Sequence, residues 1–181
     1  MNQIARQLKE KNIAEYLIYM WQEEDLIRAN HGELEEIEAN VIARYPEDQR
    51  PALREWYGNL ITMMNEEGVR ENGHLQINKN IIINLTELHN ALTSSPKFPF
   101  YSAAYFKALP FIVELRNKNG KKEEPELETC FEALYGLLLL RLQKKPVSEG
   151  TMKAVEAISS FLSMLANYYD KDLKGELKLD E

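Results

Sequence analysis

The residues in this chain whose types and spacing could support chemistry are few, and Glu24 is the most unusual of them. On a helical wheel it falls within the apolar face made by Ile13, Leu17, Met20 and Ile27. A carboxylate on such a face must be paired or protonated, because an isolated buried charge is very costly. Arg28 lies one helical turn later, within reach at i,i+4, so the spacing predicts a Glu24–Arg28 ion pair. Tyr16 and Trp21 share the segment, and with Trp56 and His89 they form a set that could line a ligand pocket. The competing reading is ordinary packing, with each ring burying its body and satisfying its polar tip.

The remaining candidates carry less. The three histidines are His31, His74 and His89, and a metal site would need them to converge. Glu71 and His74 have the Glu-x-x-His spacing of helical di-iron bundles, but those sites use the pair twice with two further glutamates. Here the pair occurs once and straddles an Asn-Gly turn, so no metal and no cofactor is expected. Cys130 is the single cysteine and stands near a predicted helix start, where a thiol pKa can fall. Glu126 and Glu128 oppose that, and the thiol reads as buried and inert. No Gly-x-Ser-x-Gly elbow, glycine-rich phosphate loop or His-Glu-x-x-His motif is present. The connector from Ser94 to Phe100 brings Phe98, Phe100 and Tyr101 together beside two prolines. It could present aromatics to a partner protein, or tuck them back as loop anchors.

These residues must be positioned by helices. The pattern predicts an all-α chain, a single helical bundle of about six to seven helices spanning residues 1–170, followed by a charged, frayed tail at 171–181. The first helix is expected over about Ile4 to Ala29, apolar on several sides and therefore central. Asn30 reads as the N-cap of the second, with Glu33 three residues on as its capping-box partner. Pro51 suits the first turn of a third helix, which aligns Leu53, Trp56, Tyr57, Leu60 and Met64. After the Asn72-Gly73 turn, Leu75 to Leu92 reads as a fourth helix, with a hairpin as the alternative. The fifth is predicted to be kinked at Pro110. Residues 118–124 read as a long loop or a domain boundary. Pro125 opens the sixth helix, and Ser148 caps the seventh.

Composition narrows the partners. The 181 residues carry a formal net charge of -7, which argues against general nucleic-acid binding, since phosphate attraction needs a concentrated basic surface. Arg44, Arg50 and Arg54 are the one basic cluster, diluted by Glu47, Asp48 and Glu55. Sparse cysteine suits a reducing cytoplasm. The opening residues lack the apolar core of a secretory signal, and the most apolar stretch, Phe131 to Leu142, is too short to span a bilayer. No membrane association is expected.

Residues 11–28, KNIAEYLIYMWQEEDLIR, resemble the start of an uncharacterised family of Bacteroidetes bacteria, domain of unknown function family 4924. The resemblance extends over most of the chain and is weaker after residue 124. It implies a small, cytoplasmic, helical protein and brings no catalytic residue, substrate or cofactor. The function expected from the residues is a non-enzymatic protein that acts through protein–protein contacts, homodimerisation first. The alternatives are a small-molecule-binding bundle with a pocket near the first helix, and an enzyme with an unfamiliar site.

Overall fold

The computed structural model describes residues 1–179. Among them the secondary structure is entirely helical: eight α-helices and one short 3-10 turn, with no strand. The chain forms two compact units, the second beginning at Ile82. No helix among the described residues is long and apolar enough to cross a membrane.

The first unit contains α1 (Gln3–Lys11), α2 (Ile13–Ala29), α3 (Leu34–Asn40), the 3-10 turn Ile42–Arg44, α4 (Arg50–Glu66) and the start of α5 (Gln76–Ser94). The expected first helix is two helices, which takes the count above the six to seven anticipated. Asn12 divides it: its backbone N–H caps α1 through the Leu8 carbonyl, while its side-chain oxygen accepts from Ala14 and Glu15 at the head of α2. One residue closes a helix and opens the next, because its short side chain competes with the backbone for the same donors. Asn30 also differs from expectation. It is the C-cap of α2, and its side-chain nitrogen donates to the Leu26 carbonyl; α3 starts after Glu33 without a side-chain cap. The core of this unit gathers Leu17, Met20, Ile27, Ile37, Ile42, Tyr57 and Met64 from α2, α3, the 3-10 turn and α4.

The second unit contains the rest of α5, then α6 (Pro99–Lys118), α7 (Glu126–Leu142) and α8 (Glu149–Leu173). α5 is helical throughout, as its spacing predicted: Leu85, Leu88 and Leu92 are buried along one side. α6 and α7 each pack on α8 and on each other. Tyr101, Ala108 and Ile112 of α6 and Phe131 of α7 meet Ile158, Phe161 and Leu165 of α8 in the core. Pro110 lies inside α6, where its ring removes the N–H that would bond the Phe106 carbonyl. Ser148 caps α8 by accepting from the Thr151 N–H. α8 extends to Leu173, so the first residues of the expected tail are helical. The tail's last two residues, 180 and 181, lie outside the described residues.

Candidate functional site

Glu24 is 1% exposed, and its partners are not the one its spacing suggests. Oε1 accepts from the Leu75 N–H at 3.0 Å and from Asn78 Nδ2 at 2.6 Å, and Oε2 lies 2.6 Å from His74 Nδ1. Arg28 turns elsewhere. Its Nη1 pairs with Asp25 at 2.8 Å, and its Nη2 donates to the carbonyls of Val69 and Gly73. The expected Glu24–Arg28 pair is therefore replaced by two separate anchors, both fastening the loop between α4 and α5 to α2. The physical reason is demand. The Leu75 N–H at the end of the loop and the Asn78 side chain in the first turn of α5 are buried donors, and a buried polar group without a partner is costly, while the loop carbonyls of Val69 and Gly73 are free acceptors. The acid satisfies the donors and the guanidinium satisfies the acceptors.

The His74 ring lies flat on Trp21, with centroids 4.1 Å apart and planes 11° from parallel. Trp21 is 3% exposed, whereas the His74 side chain keeps 33% of its surface in solvent. This carboxylate–imidazole pair fixes the ring orientation as acid–histidine pairs in catalytic sites do, and among the described residues Nε2 has no hydrogen-bond partner. Among the described residues, no group of three or more His, Cys, Asp or Glu side chains is placed to hold a metal ion.

Beside this loop anchor lies a second buried acid that the sequence did not single out. Glu23 is 7% exposed and accepts from the Tyr57 hydroxyl at 2.7 Å. The Tyr19 hydroxyl also bonds to it, and Asn2 donates to Tyr19 at 2.7 Å. Burial pushes the Glu23 carboxyl above its usual range, and the two tyrosine hydrogen bonds pull it partly back. The signal available was Tyr19 one helical turn before Glu23 on α2, but the second donor, Tyr57, comes from 34 residues along the chain.

The other anticipated pocket residues are packing residues in their own units. Tyr16 is buried under Lys9, whose Nζ sits 5.6 Å from the ring centroid. Trp56 is buried edge-on to Tyr57. His89 belongs to the second unit, where Nδ1 is 2.6 Å from the Tyr101 hydroxyl and the ring meets Tyr105 and Phe161 edge-on. Burial lowers its pKa, opposed by the charge of Glu126. Cys130 is fully buried, and burial, then the Glu126 charge, pushes its thiol pKa up.

The aromatic connector resolves into three different fates. Tyr101 is fully buried. Phe98 is half-buried, edge-on to Tyr168. Phe100 is 82% exposed. It stands at the edge of a larger feature that periodicity alone did not single out. Opposite the buried residues Tyr101, Ala108 and Ile112, α6 exposes Pro99, Ala103, Phe106, Pro110 and Val113. They recur at intervals of three and four residues, so they form one continuous stripe along the helix. Phe106 is 63% exposed and Val113 45% exposed. Lys107 and Glu114 border the stripe on the side of Phe100, and both are exposed. An apolar face usually signals a core; here the core already has the other side of α6.

Comparison with curated proteins and with solved structures finds no significant match. A family model does match, over residues 2–176, and so covers both units. The chain belongs to the family described as Domain of unknown function (DUF4924).

Proposed function

We propose that this is a non-enzymatic helical protein of the bacterial cytoplasm that works through protein–protein contacts made by the exposed face of α6. The observation that carries the reading is the stripe of Pro99, Ala103, Phe106, Pro110 and Val113, flanked by Phe100, on the side of α6 turned away from its core. At roughly 200 Å² for a phenylalanine side chain, the exposed fractions of Phe100 and Phe106 alone leave nearly 300 Å² of aromatic surface in water. Contiguous apolar patches of that order mark interaction sites more often than accident. Specific interfaces bury about 800 Å² per partner, so the stripe supports a modest, reversible association. The bacterial and cytoplasmic parts rest on the resemblance of residues 11–28 to a Bacteroidetes family and on the single cysteine.

The polar chemistry of the two units supports this non-enzymatic reading. Glu24 and Arg28 are consumed in holding a loop, Cys130 is sealed, and His89 is committed to Tyr101. The test is Phe106→Asp, followed by sedimentation equilibrium across the micromolar range. The variant should keep the helical circular dichroism of the parent and lose association at least ten-fold. An unchanged association constant would remove α6 from the account.

A second reading, small-molecule binding, has one observation behind it. An open hollow of about 560 Å³ is lined by Leu26, Asn30, Asn40, Val41, Arg44 and Tyr45, and the exposed Arg44 there has no ion-pair partner among the described residues. Such a lining suits a small carboxylate with an apolar tail. Native mass spectrometry of gently purified protein decides it: a reproducible adduct lost on Arg44→Ala supports the reading, and a bare chain removes it.

A further inference from the structure

We infer that the occupant of the α6 face is a second copy of this chain, docked with the two α6 helices antiparallel about a two-fold axis near Pro110 and Phe111; the inference rests on the interaction reading above.

The charges beside the stripe select this arrangement. Written as a heptad, Ala103 and Pro110 take one core-facing position, and Phe106 and Val113 the other. Lys107 and Glu114 then both fall on the same flank, one heptad apart. In an antiparallel pair related by a two-fold axis, that flank faces itself in reverse order. A centre between residues 110 and 111 sets Lys107 of each copy level with Glu114 of the other, twice per dimer. A parallel pair instead faces this flank with the opposite one. There the residues are Ser102, Leu109 and Arg116, so Lys107 would meet Ser102 and Glu114 would meet Leu109. The antiparallel arrangement is the one in which both charges find opposite partners.

The residues already in place are compatible with it. Among the described residues Lys107 makes no ion pair, and Glu114 holds only the exposed i,i+4 pair with Lys118. In this register Phe106 of one copy enters between Val113 and Asn117 of the other, and Pro110 meets Val113. Proline at the centre offers no N–H that the contact would strand. An isologous interface of this kind closes on itself and stops at two copies.

The test is a charge exchange. Lys107→Glu and Glu114→Lys are prepared separately, checked for parental circular dichroism, and studied by sedimentation equilibrium alone and mixed. Each alone opposes like charges at both ends and should dimerise about ten-fold more weakly than the parent. The equimolar mixture restores both pairs in the heterodimer and should regain parental association, with the heterodimer the dominant dimer by native mass spectrometry. The double variant Lys107→Glu, Glu114→Lys should likewise recover. Single variants that dimerise like the parent, or a mixture no tighter than its components, would overturn the antiparallel register. If that happened while Phe106→Asp still abolished association, the register alone would fall and the α6 face would stand. A parent chain that stays monomeric to high micromolar concentration would end both.

Discussion

Replacing Glu24 by alanine should destabilise the first unit severely, and replacing it by glutamine should not. The carboxylate is the sole acceptor shown for two buried donors, the Leu75 N–H and Asn78 Nδ2, in residues that are 0% and 1% exposed. Stranding a buried donor costs about 1–3 kcal/mol. Two such losses amount to roughly 4 kcal/mol, with a smaller contribution from the hydrogen bond to the half-buried His74. Glutamine keeps an oxygen where Oε1 sits and an amide nitrogen near His74, so it surrenders charge assistance and little else, about 1 kcal/mol. Both tryptophans, Trp21 and Trp56, lie in the first unit, so tryptophan fluorescence in urea follows that unit. With a slope near 2 kcal/mol per molar, the alanine variant should move the midpoint down by roughly 2 M and the glutamine variant by about 0.5 M. An alanine variant within about 0.5 M of the parent would show that the loop finds other acceptors at little cost. Equal losses in both variants would show that charge, rather than acceptor geometry, is what the site requires. Either result would refute the reasoning.

Two further outcomes follow from buried titrating groups, one in each unit. Glu23 has a raised carboxyl pKa because burial disfavours its charge. The stability it contributes is therefore complete below the unfolded carboxyl range and is lost as pH rises through the folded pKa. Thermal melts of Glu23→Gln against the parent should diverge in favour of the variant as pH climbs from about 4 to neutrality; parallel curves would contradict the assignment. His89 has a lowered pKa, also from burial, so its contribution is present above about 6.5 and is lost as pH falls through the folded value. His89→Gln, which can still bond Tyr101, should flatten the acid limb of the second unit's stability; an unchanged acid limb would place the titration elsewhere.

The helices were largely legible from periodicity because their apolar spacing and their stops were local. Pro51, Ser148 and the run through Leu85, Leu88 and Leu92 announced themselves. The break at Asn12 was missed because no proline or glycine marks it, although Asn12 with Glu15 three residues on fits the pattern of a capped helix start. Glu24 was recognisable as a carboxylate out of place, but its partners lie 50 to 54 residues away. The nearest base in sequence was already claimed by loop carbonyls. The α6 stripe was concealed for a different reason. Its outer face is as apolar as its inner one, and sequence alone cannot say which side of a helix receives the core.

The anchoring of the α4–α5 loop also bears on the chemical ageing of the protein. An asparagine followed by glycine is the pairing most prone to lose its amide through a succinimide, because the unhindered glycine nitrogen can swing onto the asparagine side-chain carbon. Asn72–Gly73 is such a pair and is exposed to water. Yet Arg28 grips the carbonyls of Val69 and Gly73 on either side of it, and Gly73 is held at φ 87°. Cyclisation needs this stretch to flex, so the arginine that braces the loop is expected to slow the loss of the Asn72 amide as well. The accumulation of isoaspartate at residue 72 would serve as a clock for how often that brace lets go.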